Sequence, residues 1–228
     1  MGCNGAGENA FWQWLLARAR PLNPVVTPSK QCDNSMPDDR CFRVDELDVD
    51  ELCDHTRDQV LIDSFKHWVQ TFAPHVDDVI VRIEDAFANT QLGNGIGLFE
   101  ANGLDDYAAD VELRRLRDSD EKLDWKRISV TDLAKCYCSP TFFDPQGFVF
   151  HLPAFLIAEL NDKHPYGFID RLYAADEHPK GWRALLTSEQ RDAIIATLEL
   201  IREHPNYQHE MNDIDASIDR YLDASQMG

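Results

Sequence analysis

The feature that most constrains this chain is a helical rhythm of apolar residues that sets in at Val60. Val60, Leu61, Phe65, Trp68, Val69 and Phe72 recur at helical spacing, and Val76, Val79, Ile80, Ile83 and Phe87 continue it beyond Pro74. Proline suits the first turn of a helix, where its missing N–H would have no partner. Stripes of this kind must be buried on one another, so packed helices are the expected framework. Thr187-Ser188-Glu189-Gln190 reads as a capping box opening a helix whose face carries Ile194, Ile195, Leu198 and Ile201. Ser129 to Asp132 predicts another helix start, and Met211, Ile214, Ile218 and Leu222 predict a last helix.

Two stretches depart from the helical rhythm. Thr141-Phe142-Phe143 and Phe148-Val149-Phe150 flank Asp144-Pro145-Gln146-Gly147, with Pro and Gly at favoured turn positions between aromatic runs. That chemistry predicts a β-hairpin, with a new helix starting at Leu152-Pro153. Leu92-Gly93-Asn94-Gly95-Ile96-Gly97 lacks the Lys-Ser/Thr ending of a phosphate loop and predicts a turn into a short strand. The expected fold is therefore α+β and mostly helical: a single helical domain over residues 59–228 with a small hairpin or sheet element.

Residues 1–58 read as an N-terminal extension. Phe11, Trp12, Leu15, Leu16 and Ala19 fall on one helical face and read as a short docked helix, or alternatively as a partner-binding arm with Trp12 and Trp14 as aromatic anchors, and Pro21, Pro24, Pro28 and Pro37 then break up a polar stretch. Asp45 to Asp58 carries seven carboxylates against Arg57 and reads as a solvated linker. Lys and Arg total 22 against 41 Asp and Glu, a formal charge of −19. Such a surface excludes a phosphate footprint, so neither nucleic acid nor an anionic membrane is an expected partner. No apolar run is long enough to span a bilayer, and no export signal opens the chain. The six cysteines then read as free thiols in a reducing cytoplasm.

Several blocks taken together carry a resemblance. Arg82 to Phe87, Leu92 to Leu98, Leu104-Asp105-Asp106-Tyr107, Arg117 to Glu121 with Asp124-Trp125, and Phe143 to Phe155 with its His-Leu-Pro-Ala run occur in that order. Over residues 78–224 the chain resembles an uncharacterised bacterial family, domain of unknown function 6714. The resemblance implies a cytosolic bacterial domain and brings with it no activity, substrate or catalytic residue.

Candidate chemistry is sparse. Asp105, Asp106 and His151 are the residues a metal-assisted hydrolase would use, with a nearby Glu, and they would have to converge in space. Helix capping and pairing to Arg114, Arg115 and Arg117 account for the same aspartates without any reaction. No Ser or Cys nucleophile motif accompanies His151, and no cofactor or metal is expected. The basic stretch Arg114 to Arg127 is interleaved with acids, as on an ion-paired helix face. The reading favoured is a non-enzymatic acidic protein-binding module that takes a basic protein partner. An immunity or inhibitor protein neutralising a basic bacterial toxin is its specific form. Asp45, Asp48, Asp50, Glu51, Asp105, Asp106, Asp110 and Trp125 are the expected binding residues. A regulatory module docking through its N-terminal arm is the further alternative.

Overall fold

The structure, a computed structural model, describes residues 41–163, 167–175 and 177–225. The expected arm with Trp12 and Trp14, and Cys3 and Cys32, lie outside the described residues. Among the described residues ten helices follow in order: α1 Glu46–His55, α2 Gln59–Thr71, α3 Val76–Ala86, α4 Leu98–Asp105, α5 Asp110–Ser119, α6 Val130–Lys135, α7 Pro145–Leu160, α8 Asp170–Tyr173, α9 Ser188–Arg202 and α10 Met211–Ser225. Short 3₁₀ turns join several of them. Among the described residues there is no strand, so the expected hairpin is not formed and the fold is all-helical.

The correction is centred on α7. Asp144 is its N-cap, accepting from the Gly147 amide at 2.8 Å, and Pro145 occupies the first turn. Asp-Pro-x-Gly thus opens a helix, an end that favours Asp and Pro as much as a turn does. Phe148-Val149-Phe150 lies inside the helix, and so does Pro153, which was expected to begin one. Thirteen of the sixteen residues of α7 are buried. A helix apolar on every side is a central helix, and its local pattern is indistinguishable from that of a buried strand.

Other helices are placed around it by their own stripes. α3 and the 3₁₀ turn Trp125–Arg127 pack on α7, α9 packs on α3 and α10, α4 on α5, and α1 on α2. The Thr187 capping box closes on Gln190 in both directions, and Ser129 caps α6, as the sequence predicts. The acidic run expected as linker instead forms α1, capped by a box between Asp45 and Asp48. Its Val49 and Leu52, with Phe42 and Val44 just before it, join the main core. Asp162, at φ 54 after α7, accepts from the Phe42 and Arg43 amides, both at 2.8 Å, and so pins this segment to the end of α7. Phe42 then enters a cage of Trp68, His204 and Tyr207.

The glycine-rich segment 92–97 leads into α4, not into a strand. Its glycines are needed for close approach to α7: a Cβ on Gly95 would lie 2.6 Å from the Gly147 nitrogen. Asp144 also accepts from the Ile96 amide at 2.9 Å, so one carboxylate both caps α7 and holds this segment against it. Cys41, Cys53 and Cys136 are free thiols, whereas Cys138 is disulfide-bonded, contrary to the expectation of thiols throughout. Among the described residues no helix is long and apolar enough to cross a membrane.

Candidate functional site

Two places combine chemistry with access: a cleft beside the N-terminus of α4 and an exposed turn at its C-terminus. The cleft encloses about 240 Å³ over Leu98, Phe99 and Ile128, with Ser119, Asp120, Glu121, Asp132 and His151 as its acceptor-bearing side chains and Arg127 also lining it. Asp120 is buried and accepts from the Phe99 amide at 2.7 Å and the Glu100 amide at 3.2 Å. It acts as a cap on α4 supplied from elsewhere in the chain, satisfying N–H groups that a helix start leaves open. Gly97 permits this, because a Cβ there would lie 2.1 Å from the Asp120 carboxylate. Burial raises the Asp120 pKa to about 6, against the two amides that favour its charged form. Glu121 is held below the usual carboxylate range, chiefly by the Leu123 amide. It also pairs with Arg127 at 3.3 Å.

His151 was expected where a strand gives way to a helix; it lies within α7 and is 1 % exposed. Its ring stacks on Phe143 at 4.4 Å, and its Nδ1 lies 2.7 Å from the Gly147 carbonyl. A carbonyl can only accept, so the proton sits on Nδ1 and Nε2 keeps its lone pair. Burial lowers the ring's pKa to about 4, which keeps it neutral. Nε2 has no hydrogen-bond partner among the described residues, and His151 is one of the residues that line the cleft. Burial pushes the Cys136 thiol up to about 12, so it offers no thiolate near neutral pH.

The set expected for a hydrolase does not assemble around His151. Asp105 and Asp106 lie in the last turn and cap of α4, outside the cleft. Among the described residues no three His, Cys, Asp or Glu side chains are gathered so as to hold a metal ion. Asp105 is raised in pKa, first by burial and then by Asp106. Both stand at the C-terminal end of α4, and the N-cap of α5 is Ala109, with no side-chain cap, so the capping that the sequence suggests for these aspartates is not made there.

The exposed turn joins α4 to α5. Tyr107 donates its amide to Leu104 at 3.2 Å and Ala108 donates to Gly103 at 2.8 Å, which closes α4 in a Schellman motif. Tyr107 occupies its left-handed position at φ 53, where glycine is the usual residue, and is 94 % exposed. Asp106 and Asp110 beside it are exposed, and Val111 is 72 % exposed. Of the other expected binding residues, Asp45, Asp50 and Glu51 are exposed on or beside α1. Asp48 is buried as part of the capping box, and Trp125 is buried with its indole N–H donating to the Phe87 carbonyl at 2.8 Å. The basic stretch is ion-paired, as expected: Arg115 with Glu112, Arg117 with Glu100, and Lys126 with Glu84.

A family model covers residues 75–224, which includes α4, the cleft and the exposed turn. The chain belongs to the DUF6714 family, a family of unknown function. Comparison with curated proteins and with solved structures gives no match. Both places of interest in this DUF6714 protein therefore lie in the part shared with its family, while Asp45, Asp50 and Glu51 lie outside it.

Proposed function

We propose that this DUF6714 protein is a non-enzymatic protein-binding module that captures a basic partner through the turn between α4 and α5. The observation that carries the reading is Tyr107: a large aromatic, 94 % exposed, standing at φ 53. A non-glycine residue in this conformation costs roughly 1–2 kcal/mol. Its neighbours Asp105 and Asp106 add negative charge at the C-terminal end of α4, the end where the helix dipole disfavours it. Locally unfavourable choices of this kind concentrate at functional sites, and exposed tyrosine is a common binding anchor. The formal charge of −19 supplies long-range steering toward a cationic surface. The specific form proposed is an immunity or inhibitor protein that neutralises a basic bacterial toxin.

The test is affinity capture from the native cell with the wild type and with Tyr107→Gly, at low and high salt, read by mass spectrometry. Glycine relieves the left-handed backbone, so the variant's unfolding free energy stays level or rises by up to about 1 kcal/mol. A basic protein retained by the wild type, shed at high salt and lost from the equally stable variant is the expected result. Equal retention by both chains refutes the reading.

A further inference from the structure

We propose that the cleft beside α4 is a binding site for a protic organic cation, an alkylguanidinium or primary alkylammonium group. Its polar lining is mostly acceptors, and the Ser119 hydroxyl in it already donates to the Leu116 carbonyl at 2.7 Å. Each oxygen of Asp120 takes a single backbone N–H, and Asp132 Oδ2 takes the Ser129 hydroxyl at 2.7 Å, so each carboxylate keeps lone pairs to offer. His151, buried and held in one tautomer by Gly147, adds an Nε2 acceptor with no partner among the described residues. The donor Arg127 is already engaged with Glu121 and its side chain is 70 % exposed.

The positive N-terminal end of α4 is answered by Asp120, and the Glu121 carboxylate by three backbone amides and Arg127, which leaves Asp132 as charge for a ligand. A bare metal ion is a poor match, because no metal-like cluster forms among the described residues. A ligand bearing several N–H donors meets both the carboxylates and the bare imidazole nitrogen. The cavity of about 240 Å³ is several times the roughly 30 Å³ that a water occupies, room for such a head group and part of its chain. The group can belong to a free amine or to an Arg or Lys side chain of a protein. The eight residues of α4 put the cleft about 12 Å from Tyr107, within reach of one partner, although binding in the cleft does not rest on that reading.

The full chain, labelled with ¹⁵N, is titrated with ethylguanidinium, n-butylammonium and tetramethylammonium. The His151 ring nitrogens and the Phe99 and Glu100 amides are followed by NMR. Saturable shifts with the two protic cations and none with tetramethylammonium are expected, and Tyr107→Gly leaves them unchanged. Asp132→Asn keeps the Ser129 contact and weakens binding at least tenfold, the range for one charge-assisted hydrogen bond. A blocked Gly-Arg-Gly peptide that binds tighter than ethylguanidinium assigns the cleft to a protein side chain, and weaker binding assigns it to a free amine. Absence of saturable shifts with both protic cations, or equal shifts with tetramethylammonium, overturns the proposal, and the unchanged backbone spectrum reports that each chain tested is folded.

Discussion

Gly147→Ala is a perturbation whose sign separates the helical start of α7 from the hairpin that the same residues imitate. In an ordinary helix interior alanine is favoured over glycine by about 1 kcal/mol. At position 147 the added Cβ would lie 2.3 Å from the Ile96 carbonyl oxygen and 2.9 Å from the Asp144 carboxylate. The first neighbour is backbone and cannot swing aside, so the segment 92–97 has to retreat. Retreat breaks the 2.9 Å bond from the Ile96 amide to Asp144 and leaves a partly buried N–H unpaired, a loss of roughly 1–3 kcal/mol. Overpacking adds about 1–3 kcal/mol more. Against the propensity gain, the net expectation is a loss of about 3 kcal/mol, or roughly 6–12 °C in Tm for a chain of this size. Urea unfolding followed by far-ultraviolet circular dichroism measures it, with Asp144→Asn as the companion, since asparagine caps as well as aspartate. A Gly147→Ala chain as stable as the wild type, or more so, would refute the packing of the glycine-rich segment on α7.

Two further outcomes can be measured on the same chain. Asp120 is raised to about 6 from 3.8, so the stability linked to its neutral form is fully present below about pH 4 and is lost as pH rises through 6. The change is about 3 kcal/mol, and the Asp120→Asn curve should lack that slope, so that the difference between the two stability–pH curves carries it; parallel curves would contradict it. Asp162→Ala removes the acceptor for the Phe42 and Arg43 amides and should cost about 2–3 kcal/mol, while Asp162→Gly, free of left-handed strain, should lose about 1 kcal/mol less. Equal losses in the two variants would show that the conformation at φ 54 carries no cost.

What was legible in the sequence was whatever local spacing determines. The stripes of α2 and α3, the boxed start of α9 and the capped start of α6 depend on residues three or four apart. α7 was misread because its signal is the absence of a polar face, which a buried strand shares, and because Asp-Pro-x-Gly serves a turn and a helix start alike. α1 was misread because its seven-carboxylate neighbourhood hid two inward positions, Val49 and Leu52, and an acidic cap. The cleft was illegible for a different reason: Asp120 meets Phe99 and Glu100 across twenty residues, and no pattern within one helix encodes that pairing. Gly97 was the available clue, since a glycine just before a helix start marks a place where something comes close.

Among the described residues, the two left-handed ones that are not glycine show how a structural explanation can be told from a functional one. Asp162 and Tyr107 both close a helix in the same way and carry the same backbone penalty. Asp162 turns that position inward, and its carboxylate gathers two amides from the segment that completes the core. The strain there is offset within the molecule, and removing the side chain costs stability. Tyr107 projects into solvent, flanked by acids at the wrong end of a helix dipole. Tyr107 gathers no such amides among the described residues, and under the proposed reading its backbone cost is offset by a partner whose cationic surface suits an exposed aromatic ring with acids beside it.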